Sequence, residues 1–329
     1  MKPIILILLF LYQTIQLYSQ KDYIQYYLEL NSIDSLFAFD NSEAAIAKFQ
    51  ALEDKGYNIR IFEYEKFADE IFKRGFNKLA EKYYSKAVEE GGLNQMIFEN
   101  RLDKFKNKII ENYGIKTWNK YIFINQKVLN TVSKKHKNLA SQLLKIHNED
   151  QKLRNDIIAK RIEGKPSITE YGAGYRFFKD EEMDSSIHEE YMRLYSEFYE
   201  KDSINKQQFV DIVLDLGYIP TENELKGLAH CGFLVLHSAK FHYPEKFNEI
   251  VKESVENGRL WASGYGWYMG LKSDYQHTER IYYYSSDQDT ILEFPEDKIQ
   301  KINSERKKMG MKPCPAVIWN SRIYNVKKE

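Results

Sequence analysis

Apolar residues along this chain recur mostly at helical spacing, and the pattern is densest over residues 207–258. Phe209, Ile212, Val213 and Leu216 fall on one face of a 3.6-residue period, and Gly217 follows as a stop. After Pro220, the run Thr221, Glu222, Asn223, Glu224 has the form of a capping box, with a hydroxyl poised over the amide three residues on. A second helix is therefore predicted from there through residues 228–239, a stretch apolar nearly all round that must be covered on several sides, with Leu236 inside. Pro244 suits the first turn of a third helix, whose stripe is Phe247, Ile250, Val251 and Val255 and whose end is Asn257 and Gly258. Short connections make the three antiparallel neighbours.

Upstream, residues 21–148 read as helix after helix, broken at Asn41 and Ser42, Gly56, Gly75, Gly91 and Gly92, and Gly114. Within them Tyr64, Phe67, Ala68, Ile71, Gly75, Ala80, Tyr84 and Ala87 sit at the spacing of a tetratricopeptide repeat. The segment looks like one such unit. Ala45, Phe49 and Leu52 resemble the second helix of a preceding unit. Such a repeat implies a concave surface for a protein or peptide partner; a packed helical hairpin is the plainer reading. A helical tract over 115–160 then joins the halves, glycines at 164, 172 and 174 mark a loop, and helix returns over 184–201 with Tyr191, Leu194, Tyr195 and Phe198 as its stripe.

Near the end of that tract, Asp150 and Arg154 lie four residues apart on one helix face, with Gln151 beside them. An exposed pair at this spacing contributes only about 0.2 to 0.5 kcal/mol. Four features together resemble a bacterial family, domain of unknown function 6624: a helix with Asp-Gln-x-x-Arg, a helix ending Gly-aromatic-x-Pro, a leucine-rich run into histidine, and a helix ending Asn-Gly. The segment 301–313, basic and closing on Met309, Gly310, Met311 and Pro313, is similar to the end of that family's domain. The resemblance covers 144–319, about half the chain, and Asp150, Gln151, Arg154, Pro220, His237 and Arg306 match its pattern. Leu236 stands where the family has glutamine, Tyr268, Met269 and Gly270 where it has an Asp-Arg pair, and residues 284–288 echo its Tyr-Gly-Thr-Gln motif poorly. The resemblance implies a mostly helical domain with no known activity.

Composition adds a compartment and removes some partners. Lys+Arg and Asp+Glu number 48 each, so no positive field draws a phosphate backbone, and nucleic acid is not an expected partner. Residues 1–20 combine Lys2, an apolar run over 4–11 and a polar end, the form of a signal peptide. The chain is thus expected to be exported, to the periplasm or beyond, as a leader at 1–20, a tetratricopeptide-like helical region at 21–143 and a second helical domain at 144–329, with no later membrane span. Minor extended segments are expected at 280–284 and 316–319. The fold class is mainly α. Cys231 and Cys314 would meet oxidising conditions, but Cys231 lies in the central apolar run, where a buried free thiol is the simpler expectation than a bridge.

Candidate chemistry is sparse. His230 and His237 share a helix face but stand about 10 Å apart along its axis, too far to hold one ion between them. No phosphate-cradling glycine loop, HExxH, paired CxxC or Gly-x-Ser-x-Gly occurs, and no cofactor or metal is expected. His237 with Asp150 and Arg154 would form an acid-base constellation if the two helices pack together, a carboxylate orienting the imidazole and a guanidinium near an oxyanion. Trp261, Tyr265 and Trp267 lie among small residues and, with Gln151, are candidate binding residues for a sugar ring or a peptide; helix packing through Gly264 and Gly266 accounts for them as well. Two functions follow: a non-enzymatic binding or scaffold protein of the cell envelope, or a hydrolase-like enzyme built on His237.

Overall fold

The structure, a computed structural model, describes residues 22–163, 185–239, 243–275, 292–293, 295–313 and 317–318. They are mainly helical. The first hairpin is α1 (Tyr23–Ala38) with α2 (Ser42–Asp54), and the second is α3 (Ile61–Lys73) with α4 (Asn77–Glu89). Asp22 caps α1 by accepting the Gln25 N–H at 2.9 Å, and Glu63 turns back to accept the Arg60 N–H at 3.2 Å where α3 begins. Between α3 and α4, Gly75 takes φ +85°, a left-handed turn that a side chain would strain. Ala68, Ala80 and Ala87 are fully buried, so the two helices approach closely, and Phe49 stacks on Phe67 with ring centroids 3.8 Å apart.

A short α5 (Gly92–Phe98) leads to α6 (Leu102–Tyr113), α7 (Ile115–Thr131) and the long α8 (Lys134–Glu163). The boundary expected between 143 and 144 falls inside α8. Packed along it is α9 (Ser185–Leu216), then α10 (Cys231–Ser238), α11 (Glu245–Glu256), α12 (Ala262–Tyr275) and α13 (Glu296–Lys308). Leu292 and Glu293 pair antiparallel with Ile318 and Val317. The leader, residues 280–288 and Cys314 lie outside the described residues, and among those described no helix is long and apolar enough to cross a membrane.

Two expectations for 207–258 are corrected. Gln207 does not begin a helix, because α9 runs unbroken through 201–206. The second helix is much shorter than 221–239. Thr221 does accept the Glu224 N–H at 3.0 Å, but Lys226 and Gly227 then turn left-handed (φ +50° and +72°) and only Cys231–Ser238 is helical. Glu224 bonds to Tyr218 and Arg259 instead of reaching back to Thr221. The third helix stands as expected, from Pro244 to Asn257 with Gly258 at φ +71°.

The broken turn at 222–227 binds the two halves together. Asn223 accepts the Ile61 N–H at 3.2 Å and donates to the Ile59 carbonyl at 2.9 Å, and Asn94 donates to the Lys226 carbonyl at 2.9 Å. At Gly227 a Cβ would stand 2.2 Å from the Gly91 oxygen, so only glycine lets these backbones meet. From the other side, the Tyr27 hydroxyl donates to the Leu260 carbonyl at 2.8 Å. One apolar core, from Tyr23 to Met311, runs through both halves.

Candidate functional site

The helix bearing Asp150 packs so that its carboxylate reaches His237, with Nδ1 3.3 Å from Asp150 Oδ2. The side chain of the third predicted member, Arg154, lies outside the described residues; among the described ones a cation at Asp150 is Lys206 of α9, its Nζ 2.7 Å from Oδ1 and 3.0 Å from Asp202. Asp150 and Lys206 are wholly buried and Asp202 is 1% exposed. Gln151, a predicted binding residue, donates to Asp150 Oδ2 at 2.9 Å and so completes the same network. Burial raises the Asp202 carboxyl above its ordinary value against the pull of Lys206, and burial lowers the neighbouring His147.

Such a network can orient an imidazole, but its surroundings do not favour chemistry. The Phe233 ring lies 3.8 Å from the His237 ring, and neither His237 nor Asp150 lines the main cleft. The two nucleophile types on α10 are both committed: Ser238 donates its hydroxyl to the Leu234 carbonyl at 2.7 Å, and burial raises the thiol of Cys231, a free cysteine, well above its ordinary value. Arg306 is likewise buried and structural, donating to the Lys312 carbonyl at 2.6 Å.

The main cleft, about 720 Å³, lies between α1, α3, the 222–230 turn and the start of α12. Its walls carry Leu30, Ile33, Phe37 and Phe67, and Phe62, also on the lining, is 54% exposed. Its lining also includes Arg60, Gln95, Glu222, His230 and Trp261, together with the charged Asp34, Lys66, Glu99 and Arg101. Arg60 turns Nε (3.1 Å) and Nη2 to Glu63, which also accepts from the Tyr26 hydroxyl. Burial opposes the Arg60 charge, but Glu63 outweighs it and raises the guanidinium further. The same guanidinium lies 5.7 Å from the centre of the Trp261 ring, a cation–π contact.

His230 is not on a helix face with His237; it is the extended residue that caps α10, its Nδ1 accepting the Gly232 N–H at 3.1 Å. Glu222 lies 3.1 Å from the same Nδ1, so the imidazole and this carboxylate stand as a pair on the cleft lining.

No family model, curated protein or solved structure matches this chain. The site therefore rests on its own geometry. Of the predicted binding aromatics, Trp261 alone lines the cleft; Tyr265 is buried in the core and Trp267, 49% exposed, lies elsewhere. Arg60, Gln95 and Glu222 escaped sequence reading because they come from three separated segments. The one local sign was the Arg60 and Glu63 pair at the start of an apolar helix.

Proposed function

We propose that this chain is an exported binding protein of the bacterial cell envelope, which takes a ligand in the cleft between its two halves. The observation that carries this reading is the cleft itself. At about 720 Å³, with aliphatic and aromatic side chains interleaved with charged ones from both halves, it has the size of a small-molecule site. It opens on α1 and α3, the leading helices of two successive hairpins, where the tetratricopeptide-like pattern sets a concave surface for a peptide or protein partner. The signal-peptide form of residues 1–20 supports export. The likeness of 144–319 to domain of unknown function 6624 belongs to the same proposal and rests on the sequence pattern.

The hydrolase-like alternative is the weaker reading, because the Asp150 charge is already matched by a buried lysine inside the fold. A panel of free amino acids, di- and tripeptides and envelope sugars tests the binding reading by thermal shift. At least one member is expected to raise the melting temperature by several degrees, and Phe62→Glu, on the exposed lining, is expected to abolish the rise. No shift with any member, or a shift that Phe62→Glu leaves intact, would remove the cleft as the site.

A further inference from the structure

Between Glu111 and Glu149 the chain has seven lysines and neither an aspartate nor a glutamate, although Lys+Arg and Asp+Glu number 48 each over its whole length. Overall neutrality therefore hides a strongly positive segment. Lys145 pairs with Glu149 at 3.8 Å. The other six, Lys116, Lys120, Lys127, Lys134, Lys135 and Lys137, are exposed, and none has an ion pair among the described residues.

Three of them share one face of α7. At about 100° per residue, Lys116, Lys120, Phe123 and Lys127 fall within an arc of about 60° and along about 17 Å of helix. Trp118, Tyr121 and Asn125, on the opposite face, are buried, so the stripe looks away from the fold. In its middle Phe123 is 56% exposed, and Lys127 stands over the ring with Nζ 4.3 Å from its centre. Ile115, on the first turn, is 52% exposed as well. Past the end of α7 the charge continues in Lys134, Lys135 and Lys137 at the start of α8. No residue of α7 lines the cleft, so the two surfaces are separate.

This is not the make-up of a face that only meets water. Solvated helix faces mix both signs, whereas Lys116 and Lys120 repel each other at a spacing of four residues and surround an aromatic ring. An apolar layer topped by anions reverses both costs: the ring and the lysine stems are buried while the ammonium groups reach the anions. A polynucleotide fits less well. Phosphate recognition there favours the planar fork of arginine, and residues 102–153 contain none. A bilayer surface asks only for a density of positive charge.

We propose that this face of α7 docks the protein on the anionic surface of a lipid bilayer. Phe123 enters the headgroup layer, and Lys116, Lys120 and Lys127 lie on lipid phosphates. The assignment does not depend on what the cleft binds.

The full chain is titrated with vesicles of phosphatidylcholine alone and of equal parts phosphatidylcholine and phosphatidylglycerol, at low and at high salt. Neutral vesicles report whatever the segment 1–20 contributes by itself. The expected result is binding at least tenfold tighter to the anionic vesicles, with the excess lost at high salt. A lysine at an anionic surface is worth roughly fivefold in affinity, so the combined Lys116→Gln, Lys120→Gln and Lys127→Gln variant should bind at least tenfold more weakly. The same three positions changed to arginine should keep wild-type binding. Phe123→Ser should weaken it roughly threefold or more and leave the salt dependence unchanged. Equal binding to the two kinds of vesicle, or wild-type binding by the glutamine or the serine variant, would overturn the proposal. Tighter binding to a duplex or single-stranded oligonucleotide than to the anionic vesicles would overturn it too, and would give the face to nucleic acid.

Discussion

Two polar clusters in this molecule are made from the same materials and are put to opposite uses. At Asp150, a lysine, two carboxylates and an imidazole meet with three of the four closed to solvent, and each charge has its partner inside the fold. At Arg60, a guanidinium, two carboxylates and an imidazole line an open cleft, and on the same lining the buried Gln95 Oε1 has no hydrogen-bond partner among the described residues. A buried ion pair holds helices in register because breaking it strands a charge. A partly used set facing a cavity stands ready for something outside the chain. An acid-base constellation recognised from residue types alone is therefore not enough; what separates structure from function is whether the pairs are complete.

The largest effect should follow from emptying the closed cluster on one side. Lys206→Met leaves Asp150 and Asp202 facing each other in the interior and should destabilise the protein by about 3 to 5 kcal/mol in urea unfolding. Less than 1 kcal/mol would mean that the cluster is hydrated. Next, Leu236, 8% exposed on α10, should cost about 2 to 5 kcal/mol when cut to alanine, through lost transfer energy and the cavity left behind. A melting shift of a degree or less would make α10 peripheral.

A smaller effect concerns pH. His147 sits against Phe233 near Asp150, Lys206 and His230, and burial lowers it below its ordinary 6.5. The folded state then binds fewer protons there than the unfolded state, so its contribution to stability is whole above 6.5 and is lost as pH falls below that value. The unfolding midpoint should drop on acidification through this range, and His147→Gln should flatten the drop. An unchanged slope would contradict the burial of that ring.

How much of this was legible depended on whether a signal was local. The breaks at Gly56, Gly75, Gly91 and Gly114 were readable because each is a left-handed turn, and the φ values there run from +69° to +105°. The continuity of α9 was not. Asp202, Asn205 and Lys206 look like a polar interruption, yet all three are buried, two of them in the ionic network. Polarity disguised a core face. In the same way the apolar run after Leu228 suggested a long central helix, whereas Gly227 and the His230 cap confine it to eight residues. The approach of Asp150 to His237 was legible as a pairing of residue types on two otherwise apolar helices, but Lys206 was not, since nothing local marks a lysine as buried. Of the cleft lining only Trp261 was singled out for binding from the sequence; Arg60, Gln95 and Glu222 were not, because they come from separated segments brought to one cleft by the docking of the 222–227 turn on Gly91.

The contrast between the clusters is tested most directly by one titration performed on two variants. The panel member that stabilises the wild type most is titrated into His237→Ala and into Phe62→Glu. His237→Ala should melt lower yet bind with wild-type affinity at a temperature where it remains folded, while Phe62→Glu should melt as the wild type does and bind at least tenfold more weakly. The reverse order, with affinity lost at His237 and kept at Phe62, would place the functional site in the Asp150 cluster and contradict the assignment of the cleft.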